Sequence, residues 1–325
     1  MRRAGRLLGR AALGLALLAG LFWALPRETI EIPAMPRQVD DPAARLAARE
    51  GAHDDIRPGA AARIRWAGAP GAPTGTVVLY LHGFSASAEE IRPVPDDVAD
   101  ALGANLVYAR LSGHGRTGPA MAQPRAGDWI ADTALFLAIA RAVGDRVLVM
   151  GTSTGGTLAA WAMTDPDMAV DVAGVILVSP NFALADPLGR LLEWPLARHW
   201  VPRVAGAERG FEPLNAGHAA HWTTRYPTVA AVSLGTLLRE MRGRALGAAR
   251  QPALVLFSDE DRVVSADATR AAAARWGGPV TLAPLSLPAE GGDPLHHVIA
   301  GDILSPAMTA PVTRIILDWV AELPG

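Results

Sequence analysis

A serine set between small residues at the end of an apolar strand can serve as a nucleophile, and this chain has one. Arg146-Val147-Leu148-Val149 runs into Met150-Gly151-Thr152-Ser153-Thr154-Gly155-Gly156. Gly-x-Ser-x-Gly is the spacing of a nucleophile elbow. A serine lifted above a strand end sits on a sharp, strained turn. Bulky neighbours two residues away would collide there, and small residues at 151 and 155 avoid this. Gly156-Thr157-Leu158-Ala159-Ala160-Trp161-Ala162 then reads as a helix, whose N-terminus favours developing negative charge. The five-residue pattern arises by chance in a glycine-rich chain. The flanking strand and helix are the context it requires, so Ser153 is the candidate nucleophile.

A serine hydroxyl needs a base to take its proton, and the base needs a third group to orient it. Ala253-Leu254-Val255-Leu256-Phe257-Ser258 is an apolar strand that opens into Asp259-Glu260-Asp261-Arg262-Val263-Val264. A carboxylate in that loop can accept a hydrogen bond from a histidine and fix its tautomer. Asp259 and Asp261 compete for this place. Asp293-Pro294-Leu295-His296-His297-Val298-Ile299 forms a polar loop before the last helix. His297, directly before Val298-Ile299, is the favoured base, with His296 as the alternative.

The order Ser153, Asp261, His297 is nucleophile, acid, base, as in the α/β-hydrolase fold and unlike the protease orders. With His82-Gly83-Phe84, Gly113-His114-Gly115, Asp261 to Val264 and His297-Val298, residues 60–325 resemble the α/β-hydrolase superfamily. More narrowly they are similar to its capped carboxylesterase, monoacylglycerol-lipase and serine-aminopeptidase-like branch. The resemblance implies a mostly parallel sheet flanked by helices, with a helical cap. It favours Asp261, because an acid, one residue and then Val-Val is the usual arrangement after this strand; Asp259 is then a turn residue. It places the oxyanion loop where Val77-Val78-Leu79-Tyr80-Leu81 ends in His82-Gly83-Phe84. The backbone N–H groups of Phe84 and Thr154 then form the oxyanion hole, worth roughly 2.7–4 kcal/mol per donor in a measured protease. His82 and His114 are expected to shape loops rather than act as bases.

Composition narrows the function classes. The chain of 325 residues carries a net charge of −2, and no basic patch with interleaved aromatics points to nucleic acid. It has neither cysteine nor lysine. Disulfides, thiol nucleophiles, Cys-based metal sites, Schiff-base lysines and Ser–Lys dyads are thereby excluded. The expected chemistry needs no metal and no cofactor. His218 and His221 are spaced i, i+3 on a possible helix face, with no carboxylate pattern beside them. They are expected on a solvated cap surface.

At the N-terminus, Arg2, Arg3, Arg6 and Arg10 precede the apolar run Ala11 to Leu25. A basic region followed by a run of this length matches a secretory signal, and it is slightly short for a span of about 20 residues. No Ala-x-Ala site follows, and Trp23 suits an interfacial anchor. Residues 1–25 are therefore expected as a signal anchor, or a signal peptide if cleaved. The enzyme would lie outside the cytoplasm at the inner membrane, or be periplasmic or secreted after cleavage. Residues 26–60, with Pro26, Pro33, Pro36, Pro42 and Pro58, read as a linker, with a short helix near Ala43 to Glu50.

Residues 61–325 hold the hydrolase domain. Arg63 to Trp66, Asn105 to Ala109 and Gly174 to Pro180 read as further strands, and 86–102, Asp128 to Val143 and Ser305 to Leu323 as helices. Alternating strands and helices imply a mostly parallel sheet. Residues 181–250 break the alternation with a connection far beyond the usual 2–6 residues. Their leucines and tryptophans suit a cap over an apolar acyl chain, or plain packing onto the core. The expected activity is a serine hydrolase acting on an acyl-glycerol or other small lipid-like ester through an acyl-enzyme. A peptidase, amidase or acyltransferase on the same triad is the alternative, with Glu193, Glu208 and Glu212 available to bind an amine. A non-catalytic binding module is a third. An aspartate would stand at 153 in a haloalkane dehalogenase.

Overall fold

The computed structural model describes residues 2–324, with side chains from Leu13 onward. Seven strands form the main sheet: β1 (Arg63–Arg65), β2 (Thr74–Leu81), β3 (Asn105–Tyr108), β4 (Gly144–Thr152), β5 (Val172–Val178), β8 (Ala253–Phe257) and β9 (Val280–Pro284). Their order is β1-β3-β2-β4-β5-β8-β9, with β1 antiparallel to β3 and every other pairing parallel. Apolar runs without alternation reflect a sheet covered on both faces. Val77, Leu79 and Leu81 pack into one core layer with α4 (Ala126–Val143) and α5 (Thr154–Met163). Val78 and Tyr80 pack into the other with α3 (Val94–Leu102) and α10 (Thr309–Ala321). Helix α9 (Ala266–Ala273) connects β8 to β9.

Two expected helices begin late. Residues 88–93 form turns, and α3 starts after its N-cap Pro93 with Pro95 in its first turn, a position that does not need its missing N–H. Helix α10 starts at Thr309, after a 3-10 turn over Pro306–Met308, and the Ser305 hydroxyl accepts the Asp293 N–H at 2.9 Å rather than capping a helix.

The insertion between β5 and β8 is more than helical. It holds a 3-10 turn (Pro187–Glu193), α6 (Ala197–Val204), α7 (Ala216–His221) and α8 (Val229–Gly243). It also holds a two-stranded antiparallel ribbon of β6 (Glu208–Gly210) and β7 (Arg225–Pro227). Leu234, Leu237, Leu238 and Met241 of α8 join the core; the remainder roofs the strand ends.

Residues 26–60, expected as a linker, pack on the domain. Glu28 takes a bidentate pair from Arg198 of α6, at 2.6 and 2.7 Å. Helix α2 (Pro42–Gly51) is capped by Asp41, whose Oδ1 accepts the Ala44 N–H at 2.9 Å. It buries Leu46 in the core, and Arg49 reaches Asp132 at 2.6 Å. Helix α1 (Arg2–Trp23) leaves Leu13, Leu15, Leu17, Leu18 and Leu21 exposed, and Trp23 packs on Trp194 of the cap. The side chains of Arg2, Arg3, Arg6 and Arg10 lie outside the described residues. Among the described residues no helix is long and apolar enough to cross a membrane.

Candidate active site

The candidate residues meet at the C-terminal ends of the parallel strands, where open α/β sheets place their ligands. Ser153 links β4 to α5 with φ +52° and ψ −115°, a strained conformation of the kind found at functional turns. The flanking glycines are needed, but not to spare the serine itself. A Cβ on Gly151 would lie 2.5 Å from the Gly155 carbonyl oxygen, and one on Gly155 would lie 2.0 Å from that of Leu81. The collisions are between the two arms of the turn, and between the turn and β2.

His297 Nε2 lies 3.0 Å from Ser153 Oγ, and His297 Nδ1 lies 2.8 Å from Asp261 Oδ2. Asp261 is held from behind, since its Oδ1 accepts the N–H groups of Val263 and Val264 at 2.7 and 2.9 Å. Burial lowers the His297 pKa, but the hydrogen bond and charge of Asp261, followed by the charges of Glu90 and Asp293, outweigh it and leave the value raised. The competing residues point elsewhere. Asp259 pairs with Arg270 at 2.7 Å, and His296, at φ +56°, lies 3.4 Å from Glu260.

The other expected positions are occupied as follows. Leu111 donates its N–H to His82 Nε2 at 3.1 Å, and Nδ1 faces the Gly83 carbonyl at 2.9 Å. These partners assign the ring proton to Nδ1, and burial lowers its pKa to about 4. His82 thus stays neutral and ties the loop after β3 to the oxyanion loop. His114 is also fully buried, with its pKa pushed down by burial. Gly83 abuts the nucleophile, since a Cβ there would lie 3.2 Å from Ser153 Cβ. This brings Phe84 to the serine from one side and Thr154 at the start of α5 from the other. His218 departs from expectation: it is buried, lines the active-site cavity and accepts the Leu214 N–H at 3.2 Å. Among the described residues no cluster of side chains could hold a metal ion.

Two residues at the site were not singled out from the sequence. Asp293 is buried, and its Oδ2 accepts the N–H groups of His297 and Val298 at 3.0 and 2.9 Å, so it shapes the histidine loop. Its only sequence signal is its place four residues before His297. Glu90 is buried beside Ser153 and accepts the Gly83 N–H at 2.7 Å. No pattern distinguishes it from Glu89, which pairs with Arg63.

A cavity of about 700 Å³ opens above Ser153 and His297. Leu184, Leu188, Leu192, Trp200, Val201 and Leu234, all from the insertion between β5 and β8, supply an apolar wall. Glu193 and Glu208 are turned to Arg242 and Arg225; Glu212 borders the cavity.

A family model described as Hydrolase_4, serine aminopeptidase S33, matches residues 72–283. The chain belongs to this S33 family. It is 27% identical over 188 residues to a thermostable monoacylglycerol lipase of Bacillus sp. strain H-257, covering 58% of this chain and 71% of that one. Its fold is that of an α/β-hydrolase. The structure of the metagenome-derived lipolytic enzymes LipS and LipT superposes with a TM-score of 0.64 at 22% identity, over 82% of this chain and 99% of that one. The monoacylglycerol lipase of Paleococcus ferrophilus superposes at 0.58 with 14% identity, over 80% and 97%. In this S33 hydrolase, His297 lies beyond the matched segment, and its place rests on the geometry above.

Proposed function

We propose that the protein is a serine hydrolase that cleaves carboxylic esters with an apolar acyl chain, such as an acyl-glycerol. The observation that carries this reading is the unbroken chain Ser153–His297–Asp261 opening on an apolar cavity. His297 Nε2 takes the Ser153 proton as Oγ attacks the acyl carbon. Asp261 orients the ring and stabilises the imidazolium. The N–H groups of Phe84 and Thr154 receive the oxyanion. The imidazolium then protonates the leaving alcohol, and water, activated by the same histidine, releases the acid. No metal or cofactor takes part. The monoacylglycerol-lipase relative favours an ester, and the ion-paired Glu193 and Glu208 disfavour a free amino terminus.

Hydrolysis rates across p-nitrophenyl esters of rising chain length, with aminoacyl-anilides alongside, test the reading. Each methylene buried in the cavity contributes about 0.8 kcal/mol, so kcat/KM is expected to rise roughly 4-fold per added methylene until the cavity is filled. Faster cleavage of the anilides would replace the esterase by a peptidase.

The base must be neutral to accept the serine proton. A raised His297 pKa keeps the inactive imidazolium present to higher pH. Activity is therefore lost as pH falls through that value, and the acid limb of kcat/KM is expected above the ordinary 6.5 of histidine. A midpoint below 6.5 in a pH-rate profile would contradict this.

We also propose that α1, with its exposed leucines and basic start, directs the domain out of the cytoplasm and holds it at a lipid surface, where esters are met. Fractionation with a C-terminal phosphatase fusion tests this. A full-length, phosphatase-inactive product in the cytoplasm would refute it, and a shortened periplasmic product would replace the anchor by a cleaved signal.

A further inference from the structure

The carboxyl group of Glu90 is buried within the hydrolytic centre, and the proton transfers above leave it without a part. Its Oε2 accepts the Gly83 N–H at 2.7 Å and the Tyr80 hydroxyl at 3.1 Å. The Tyr80 oxygen also lies 3.1 Å from Thr152 Oγ1. Having a single proton, Tyr80 donates to Glu90 and accepts from Thr152. One carboxylate is thus tied to the oxyanion loop directly and to the residue before the nucleophile through Tyr80. A Cβ at Gly83 would lie 2.6 Å from Glu90 Oε1 and 3.2 Å from Ser153 Cβ, so carboxylate and serine flank the same backbone point. Glu90 also borders the cavity. Among the described residues no arginine pairs with it. Tyr80, the Gly83 N–H and His297 are the polar groups that face it.

Resting on the hydrolase reading, we propose that Glu90 is a positioning residue: it clamps the oxyanion loop against the Ser153 turn, and its charge stabilises the imidazolium of His297.

The two functions follow from one location. An oxyanion hole works when its donors are fixed before charge develops, and the Phe84 N–H belongs to the peptide unit adjoining Gly83. When His297 takes the serine proton, Glu90 is one of three anions acting on the cation, with Asp261 and Asp293. Burial pushes the Glu90 carboxyl up to about 7, against the pull of the Gly83 N–H and the His297 charge. The charge on Glu90 therefore develops near neutrality, and the His297 pKa is itself raised by nearby carboxylates. Each group favours the charged form of the other.

Glu90→Gln keeps a carbonyl for the Gly83 N–H and removes the charge. The first measurement is the His297 imidazole titration, followed by NMR in the full-length protein, which needs no substrate. Its midpoint is expected to fall on the order of half a pH unit in Glu90→Gln, and the acid limb of kcat/KM to move down with it. Glu90→Ala also strands the Gly83 N–H and the Tyr80 hydroxyl. It is expected to lose about 100-fold or more in kcat, as when an oxyanion donor is removed, with KM little changed and Glu90→Gln recovering much of the loss. An unchanged His297 midpoint in Glu90→Gln would overturn the electrostatic part. A Glu90→Ala enzyme that melts earlier but keeps its kcat would overturn the clamp. A shifted His297 midpoint in a protein that cleaves no ester would leave the Glu90–His297 coupling standing and remove the hydrolase reading instead.

Discussion

Ser153→Ala is expected to lower ester turnover roughly a million-fold, the size seen when the nucleophile of a comparable triad is removed. The residual rate over water then belongs to the oxyanion N–H groups and the cavity. The fold should survive. Alanine is close to serine in volume and carries the same Cβ at φ +52°, so the turn holds the same strain. The lost hydroxyl contacts only His297 Nε2 among the described side chains. Ester assays with a fluorophosphonate label and a melting curve check all three points. An unlabelled Ser153→Ala protein with wild-type turnover would remove this serine from the mechanism.

The next largest effects separate each triad member from its neighbour. His297→Ala is expected to lose several orders of magnitude in kcat, and Asp261→Asn roughly 10⁴-fold. The asparagine case has a specific cause. Its carbonyl is drawn to the Val263 and Val264 N–H groups that now bind Oδ1. The amide N–H then donates to His297 Nδ1 and drives the ring proton to Nε2. The ring then offers Ser153 a donor where an acceptor is needed. His296→Ala and Asp259→Asn should change kcat little. The His296 ring lies 3.4 Å from the exposed Glu260 without reaching the serine, and the Asp259–Arg270 pair is half exposed, which limits it to about 1 kcal/mol. A larger loss at either neighbour than at its triad partner would reverse the assignment there.

The sequence by itself determined the superfamily and singled out Ser153 as the candidate nucleophile, because both signals are written in short range. Strand, tight turn and helix follow one another around Ser153, and apolar runs without alternation mark strands covered on both faces. It also set the order of acid and base and excluded thiol and lysine chemistry. Strand β9 escaped notice because it is an edge strand: Val280-Thr281-Leu282-Ala283-Pro284 is only partly covered and carries no buried run. The packing of residues 26–60 escaped because prolines suit a linker and a surface strap equally well. Only contacts far along the chain, Glu28 with Arg198 and Arg49 with Asp132, tell the two apart.

The choice between the doubled acids and doubled bases was tertiary as well. Neighbouring residues in a loop have nearly the same local signal, and the direction of each side chain depends on hydrogen bonds made across loops. Asp293 turns the histidine loop so that His297, not His296, faces Ser153. Asp261 is fixed by its own downstream N–H groups, whereas Asp259 is drawn outward by Arg270. Glu90 shows the same limit most plainly. It and Glu89 are adjacent carboxylates, yet Glu89 is ion-paired with Arg63 and Arg92 while Glu90 is buried against the oxyanion loop, with no arginine beside it among the described residues. Burial and charge partners are properties of the folded chain, so the sequence supplied the reacting groups and only the tertiary structure decided which of them meet.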